Sequence, residues 1–175
     1  MSCRTLILAL LSVTGCTTLT AGSSEYEVKA AYVYNFAKFV EWPGTQSLAE
    51  VTICVYGKDA FGGFLDEAVR GKLAHGRPLT IRRLATGDEN WEGCQVLFLG
   101  MKNGTQIEPI LRQLQGRSTL TVGECDGFAE GGGMLGLRFD NGNVRFDINL
   151  AAIAAARLQA SSRLIEIGRV VGPRK

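Results

Sequence analysis

The chain is 175 residues long, 46% hydrophobic and 21% charged, with a formal net charge of +2. That composition suits one packed domain and is ordinary in its charge content. The near balance of charge gives no electrostatic footprint for a nucleic-acid partner.

Residues 1–22 read as an export signal rather than as fold. Arg4 precedes an apolar run from Leu6 to Val13, far short of the roughly 20 apolar residues that span a bilayer. Two cleavage positions fit. Val13-Thr14-Gly15-Cys16 resembles a bacterial lipobox, which makes Cys16 the lipidated first residue; cleavage near Ala21 to Ser23 instead releases an unanchored protein. Either route exports residues 23–175 as a single domain, with membrane attachment only through lipid at Cys16.

The mature chain opens on EYEVKAAYVYNFAKFVEWP, from Glu25 to Pro43. Tyr26, Ala30, Val33, Ala37 and Val40 form one helical row, and Val28, Tyr32, Phe36 and Phe39 the next. Glu27, Lys38 and Glu41 hold a narrow polar stripe. Ser24 and Glu27 have capping-box spacing, and Trp42-Pro43 ends the helix. So wide an apolar arc is buried against a sheet or a partner, and the polar stripe is a candidate partner surface.

Val51 to Tyr56 is a β-branched run that reads as a strand. Asp59 is placed to cap a helix whose core face is Phe61, Phe64, Leu65, Ala68 and Val69. Pro78 to Leu84 alternates and reads as a strand near a sheet edge. Ala85 to Gly93 is a polar loop, and Cys94 to Leu99 a third strand. Thr105 and Glu108 suggest a second capping box, for a helix through Gln115 with Pro109 in its first turn. Ser118 to Val122 is a fourth strand, followed by a glycine-rich loop from Glu124 to Gly133. Met134 to Phe139 and Val144 to Ile148 flank Asp140-Asn141-Gly142-Asn143, a hairpin signal. Asn149 is placed to cap a helix from Leu150 to Gln159, with further helical structure from Ser161 to Val171. Strand–helix alternation followed by a hairpin predicts an α/β three-layer sandwich with a mixed, mostly parallel sheet and a C-terminal hairpin plus helix.

The exported domain holds Cys54, Cys94 and Cys125, none in a CxxC or zinc spacing. Cys54 and Cys94 sit on strand-like segments, and strands that neighbour one another would pair them in an oxidising compartment. The alternative is three reduced, small core residues.

Catalytic signals are sparse. His75, the single histidine, lies in a loop, and the sequence has no GxSxG, HExxH or P-loop. No enzyme activity, metal or cofactor is expected. Two strand-to-helix turns stand out, carrying Lys58 and Asp59 after the first strand and Lys102 and Asn103 after the third. Such turns gather at the carboxyl edge of an α/β sheet, where helix N-termini attract anions. They are the candidate ligand turns of a rival reading, a small-anion binding protein. Arg70, Lys72, Arg77, Arg82 and Arg83 form a basic run suited to an acidic partner or to membrane headgroups, unless Asp88, Glu89 and Glu92, which follow closely, neutralise it.

The segments YEVKAAYVYNFAKFVEWP, ICVYGKDAFG, CQVLFLG, TLTVGECDGFAEGGGM and NGNVRFDINLAAIAAARLQASSRLIEIGRVV follow one another as in the YfiR/HmsC-like family. Glu25 to Val171 resembles that family throughout. The resemblance implies a periplasmic α/β sandwich, dimeric and without an active site. It implies repression of an inner-membrane diguanylate cyclase through the cyclase's periplasmic part, which lowers cyclic di-GMP and with it exopolysaccharide and biofilm. It also places Cys54 and Cys94 where family members carry a disulfide. The family's second disulfide surrounds the glycine-rich loop, and there this sequence offers Cys125 with no cysteine after it. A lipid anchor at Cys16 would depart from a freely diffusing repressor.

Overall fold

The computed structural model describes residues 21–172, with side chains from Glu25 onward. Residues 1–20, with Cys16 and most of the expected signal segment, and the basic tail Arg174-Lys175 lie outside the described residues.

In chain order the elements are α1 (Ala21–Phe39), β1 (Val40–Glu41), β2 (Val51–Gly57), α2 (Gly63–Val69), β3 (Leu73–Ala74), β4 (Arg77–Leu84), β5 (Val96–Gly100), α3 (Gly104–Gln113), β6 (Leu120–Gly123), β7 (Leu135–Asp140), β8 (Asn143–Ile148), α4 (Leu150–Ala155), β9 (Gln159–Ala160), α5 (Ser162–Ile167) and β10 (Arg169–Val170). An eight-stranded sheet has the order β10-β8-β7-β6-β5-β2-β4-β3, and β1 pairs separately with β9. The pairs from β4 through β2, β5 and β6 to β7 are parallel, whereas β7–β8 and β3–β4 are antiparallel. The expected α/β sandwich with a mostly parallel mixed sheet is the observed architecture.

Two apolar layers hold it. One face of the sheet packs Ile53, Phe98, Val122, Leu135 and Phe146 against α1 and α2. The other packs Cys54, Leu97 and Leu99 against Ile107 and Ile110 of α3 and against Trp91. The central strands are buried on both faces, so they read as continuous apolar runs.

Several local expectations are corrected. α1 begins at Ala21, upstream of Ser24, so the Ser24–Glu27 spacing does not mark its start. Within α1, Ala30, Val33, Phe36 and Ala37 are fully buried, but Val28 is 42% exposed. An arc wider than the sheet can cover leaves one edge in water. Asp59 does not cap α2: Gly62 holds that position, and the Asp59 carboxylate accepts from the Phe61 N–H. Asn103, not Thr105, caps α3, its side chain accepting from the Thr105 N–H. Pro109 falls beyond the first turn of that helix. Asn149 does cap α4, accepting from the Ala152 N–H. That helix stops at Ala155, because Arg157 turns left-handed (φ 59°) and sends Leu158 into the core. The final segment is then divided among β9, α5 and β10. The Asn141-Gly142 hairpin forms as expected, both residues at positive φ.

Candidate functional site

The parallel strands end side by side, with Gly57 opposite Gly100 and Leu99 opposite Gly123. This is the edge at which open α/β sheets collect their functional loops. The two lysine-bearing turns meet there through backbone. The Lys58 N–H donates to the Gly100 carbonyl at 3.0 Å, and a Cβ at Gly100 would lie 2.0 Å from the Lys58 carbonyl oxygen. Lys58 and Lys102 are exposed. Asp59 is occupied by the Phe61 N–H and by Arg83, whose Nε lies 2.6 Å from Oδ2. Asn103 is occupied as the α3 cap. Lys102, but not Lys58, lines a cleft of about 470 Å³.

The wall of that cleft is an ionic network between the start of α1 and the loop after β6. Lys29 Nζ lies 2.6 Å from Glu25 and 2.7 Å from Glu124, with side chains of Lys29 and Glu124 only 5% and 6% exposed. The Tyr26 hydroxyl donates to Glu124, and the Lys29 ammonium sits over the Tyr26 ring. Burial alone would lower the Lys29 pKa; the hydrogen bonds to Glu124 and Glu25 outweigh it and raise the pKa. Burial and the negative charge of Glu124 push the Tyr26 hydroxyl up. Sequence reading missed this network. The Glu25–Lys29 spacing of four is a readable helical pair, but nothing local marks Glu124 as its third member.

The glycine-rich loop is built around a ring. A Cβ on Gly123 would lie 2.4 Å from Phe128, and one on Gly133 would lie 2.2 Å from it. Phe128 is 3% exposed. These glycines therefore make room for an aromatic side chain.

The basic run disperses. Arg83 binds Asp59 and Asp66, Arg70 pairs with Glu67, and Lys72 lies over the Tyr34 ring. The neutralising carboxylates come from α2 and the turn before it, not from Asp88, Glu89 and Glu92. Hydrogen bonding to Arg83 holds the Asp66 carboxyl below its usual pKa.

Cys54 and Cys94 form a disulfide that closes a separation of 40 residues. It lies within the α3-side core, where Cys54 is 0% and Cys94 4% exposed. Arg82, paired with Cys54 in the β2–β4 register, donates to the carbonyls of Asn90 and Glu92 and to Cys94 Sγ. A family model described as YfiR/HmsC-like matches residues 26–169. The chain belongs to the YfiR/HmsC-like family. Members of this family are periplasmic regulators of diguanylate cyclases, and the disulfide fits that oxidising compartment. A solved structure of an ABC domain in complex with L-Trp from Streptococcus pneumoniae matches with a TM-score of 0.54 at 10% sequence identity. The match covers 81% of this chain and 60% of that one, so the chain spans less than two thirds of that protein and the likeness concerns the fold.

The remaining candidate residues of this YfiR/HmsC-like protein have defined places. His75 occupies the tight β3–β4 turn at positive φ, its Nε2 2.8 Å from the Val40 carbonyl and its ring edge-on to Trp42. Cys125 is buried in the loop that shares the Lys29–Glu124 cleft. Glu27, Lys38 and Glu41 are exposed along α1 and β1. Among the described residues no helix is long and apolar enough to cross a membrane.

Proposed function

We propose that this exported protein represses an inner-membrane diguanylate cyclase by binding its periplasmic sensor part as a homodimer. Repression lowers cyclic di-GMP and the exopolysaccharide and biofilm output that follows from it. The observation that carries the reading is the family match across residues 26–169. The buried disulfide supports an oxidising compartment. The exposed residues Glu27 and Lys38 of α1 and Glu41 of β1 are the proposed contact, since the opposite side of the helix is core. Deleting the gene is expected to raise cellular cyclic di-GMP, and the purified mature protein is expected to bind the cyclase's periplasmic part. Unchanged cyclic di-GMP in a strain that carries the cyclase would overturn the reading.

A second reading is supported by the cleft beside Lys102. Its volume of about 470 Å³ falls within the roughly 300–1,000 Å³ of small-molecule sites. In that reading the protein binds a small anion through Lys102, with Lys58, Asp59 and Asn103 nearby. A thermal-shift screen against anionic metabolites separates the two, because a ligand stabilises only the state it binds.

A further inference from the structure

The rows of β7 and β8 divide cleanly. Leu135, Leu137, Phe146 and Ile148 face α1, with Phe146 against the rings of Tyr32 and Phe36. The opposite face carries Arg138, Arg145 and Asp147, because register places Arg138 against Arg145 and Gly136 against Asp147. Arg169 of β10 joins them. Asp147 accepts from Arg138 Nε at 2.9 Å and from Arg169 Nε at 2.8 Å, so two guanidiniums cover one carboxylate. The side chains of Arg138 and Arg169 are 32% and 56% exposed over an Asp147 side chain that is 6% exposed.

Arg145 differs from its neighbours. It is exposed, lies directly opposite Arg138, and has no ion pair among the described residues. Like charges directly opposite on paired strands destabilise a sheet. Glu130 and Asp140 stand at the rim, 3.5 Å from Arg169 and 3.9 Å from Arg138, so the face is not short of carboxylates in total. Their placement leaves the Arg138–Arg145 pair without one between its members. Arg138 lines both a cavity of about 80 Å³ shared with Arg169 and the cleft of about 470 Å³ beside Lys102, but Arg145 lines neither and stands on the open face of the sheet. The geometry therefore suits a partner surface rather than an enclosed metabolite.

We propose that the β7–β8–β10 face docks an acidic segment of a protein partner, whose carboxylate bridges Arg138 and Arg145. The fork of a guanidinium matches a carboxylate in two parallel hydrogen bonds. The partner is the periplasmic part of the cyclase, so the inference rests on the repressor reading and adds its recognition chemistry.

Calorimetric titration of the mature protein against that cyclase domain tests it. Arg145→Glu is expected to weaken binding by about tenfold or more, Arg145→Lys to retain most of it, and wild-type affinity to fall with salt. The Arg145→Glu protein should melt no lower than wild type, because the substitution relieves a like-charge pair. Wild-type binding with an undiminished Arg145→Glu affinity overturns the docking face and leaves the repressor reading standing. Failure of the wild type to bind removes the repressor reading and the inference with it. Arg145-dependent binding to phosphatidylglycerol vesicles, with cyclase binding unaffected by the substitution, overturns the face in favour of a lipid surface.

Discussion

Lys29 and Glu124, 95 residues apart in sequence, meet at 2.7 Å with both side chains nearly excluded from water. The contact ties the first turns of α1 to the loop after β6. Removing Lys29 leaves the buried Glu124 carboxylate with the Tyr26 hydroxyl but without its cation, which costs about 3 kcal/mol. Lys29→Ala is expected to lower the melting temperature by roughly 10 °C. Glu27→Ala, on the exposed side of the same helix, is expected to change it by no more than ~2 °C. Calorimetry on both variants checks the pair, and equal melting temperatures would show that the network adds nothing to stability.

The Cys54–Cys94 bond restrains 40 residues of chain, including the polar loop that carries the buried Trp91. On the chain-entropy account, closing a loop of that length contributes about 4 kcal/mol. The double Cys54→Ala, Cys94→Ala variant is expected to unfold at a lower urea concentration than the oxidised wild type. Reductant should shift the wild-type midpoint and leave the variant's unchanged.

Phe128 fixes the glycine-rich loop sterically. Gly133→Ala would place a methyl group within 2.2 Å of its ring, whereas Gly104 has nothing within 4 Å of a new Cβ. Displacing a packed aromatic ring is expected to cost about 2 kcal/mol or more. Gly104→Ala, at the start of α3, is expected to be neutral or stabilising by up to about 1 kcal/mol. Urea denaturation of the two variants separates a loop built around a ring from one that is simply flexible.

Sequence reading reached the elements whose causes are local. The β-branched runs of β2 and β5, the Asn141-Gly142 hairpin and the Asn149 cap each announce themselves within a few residues. Adjacent strand motifs also brought Cys54 to Cys94. What stayed hidden depends on distant packing. Amphipathic spacing cannot say which part of a wide apolar arc the sheet will cover, so the exposure of Val28 was not visible. Gly-rich composition does not name the ring that Gly123 and Gly133 accommodate. Arg157 adopts a left-handed conformation without being glycine, so the break between α4 and β9 carries no sequence flag. Lys29 and Glu124 become neighbours only once α1 lies across the sheet, and the arginine face exists only in the β7–β8 register.

Asp147 makes the same arginine face sensitive to acid. Burial would raise its pKa, but hydrogen bonds from Arg169 and Arg138 outweigh that and hold it below the usual carboxylate value. With the folded pKa below the unfolded value of about 3.9, the stabilisation is fully present above about pH 4. It is lost as pH falls through the lowered folded pKa. Asp147→Asn removes this dependence while keeping the shape of the side chain. At pH 7 the variant is expected to be less stable by about 2–3 kcal/mol, the scale of hydrogen bonds to a charged group. The gap from wild type should narrow as pH falls below about 4 and through the lowered folded pKa of Asp147. Denaturation midpoints across that range decide the matter: a gap of constant size would mean that the charge on Asp147 does not hold Arg138 and Arg169 in place.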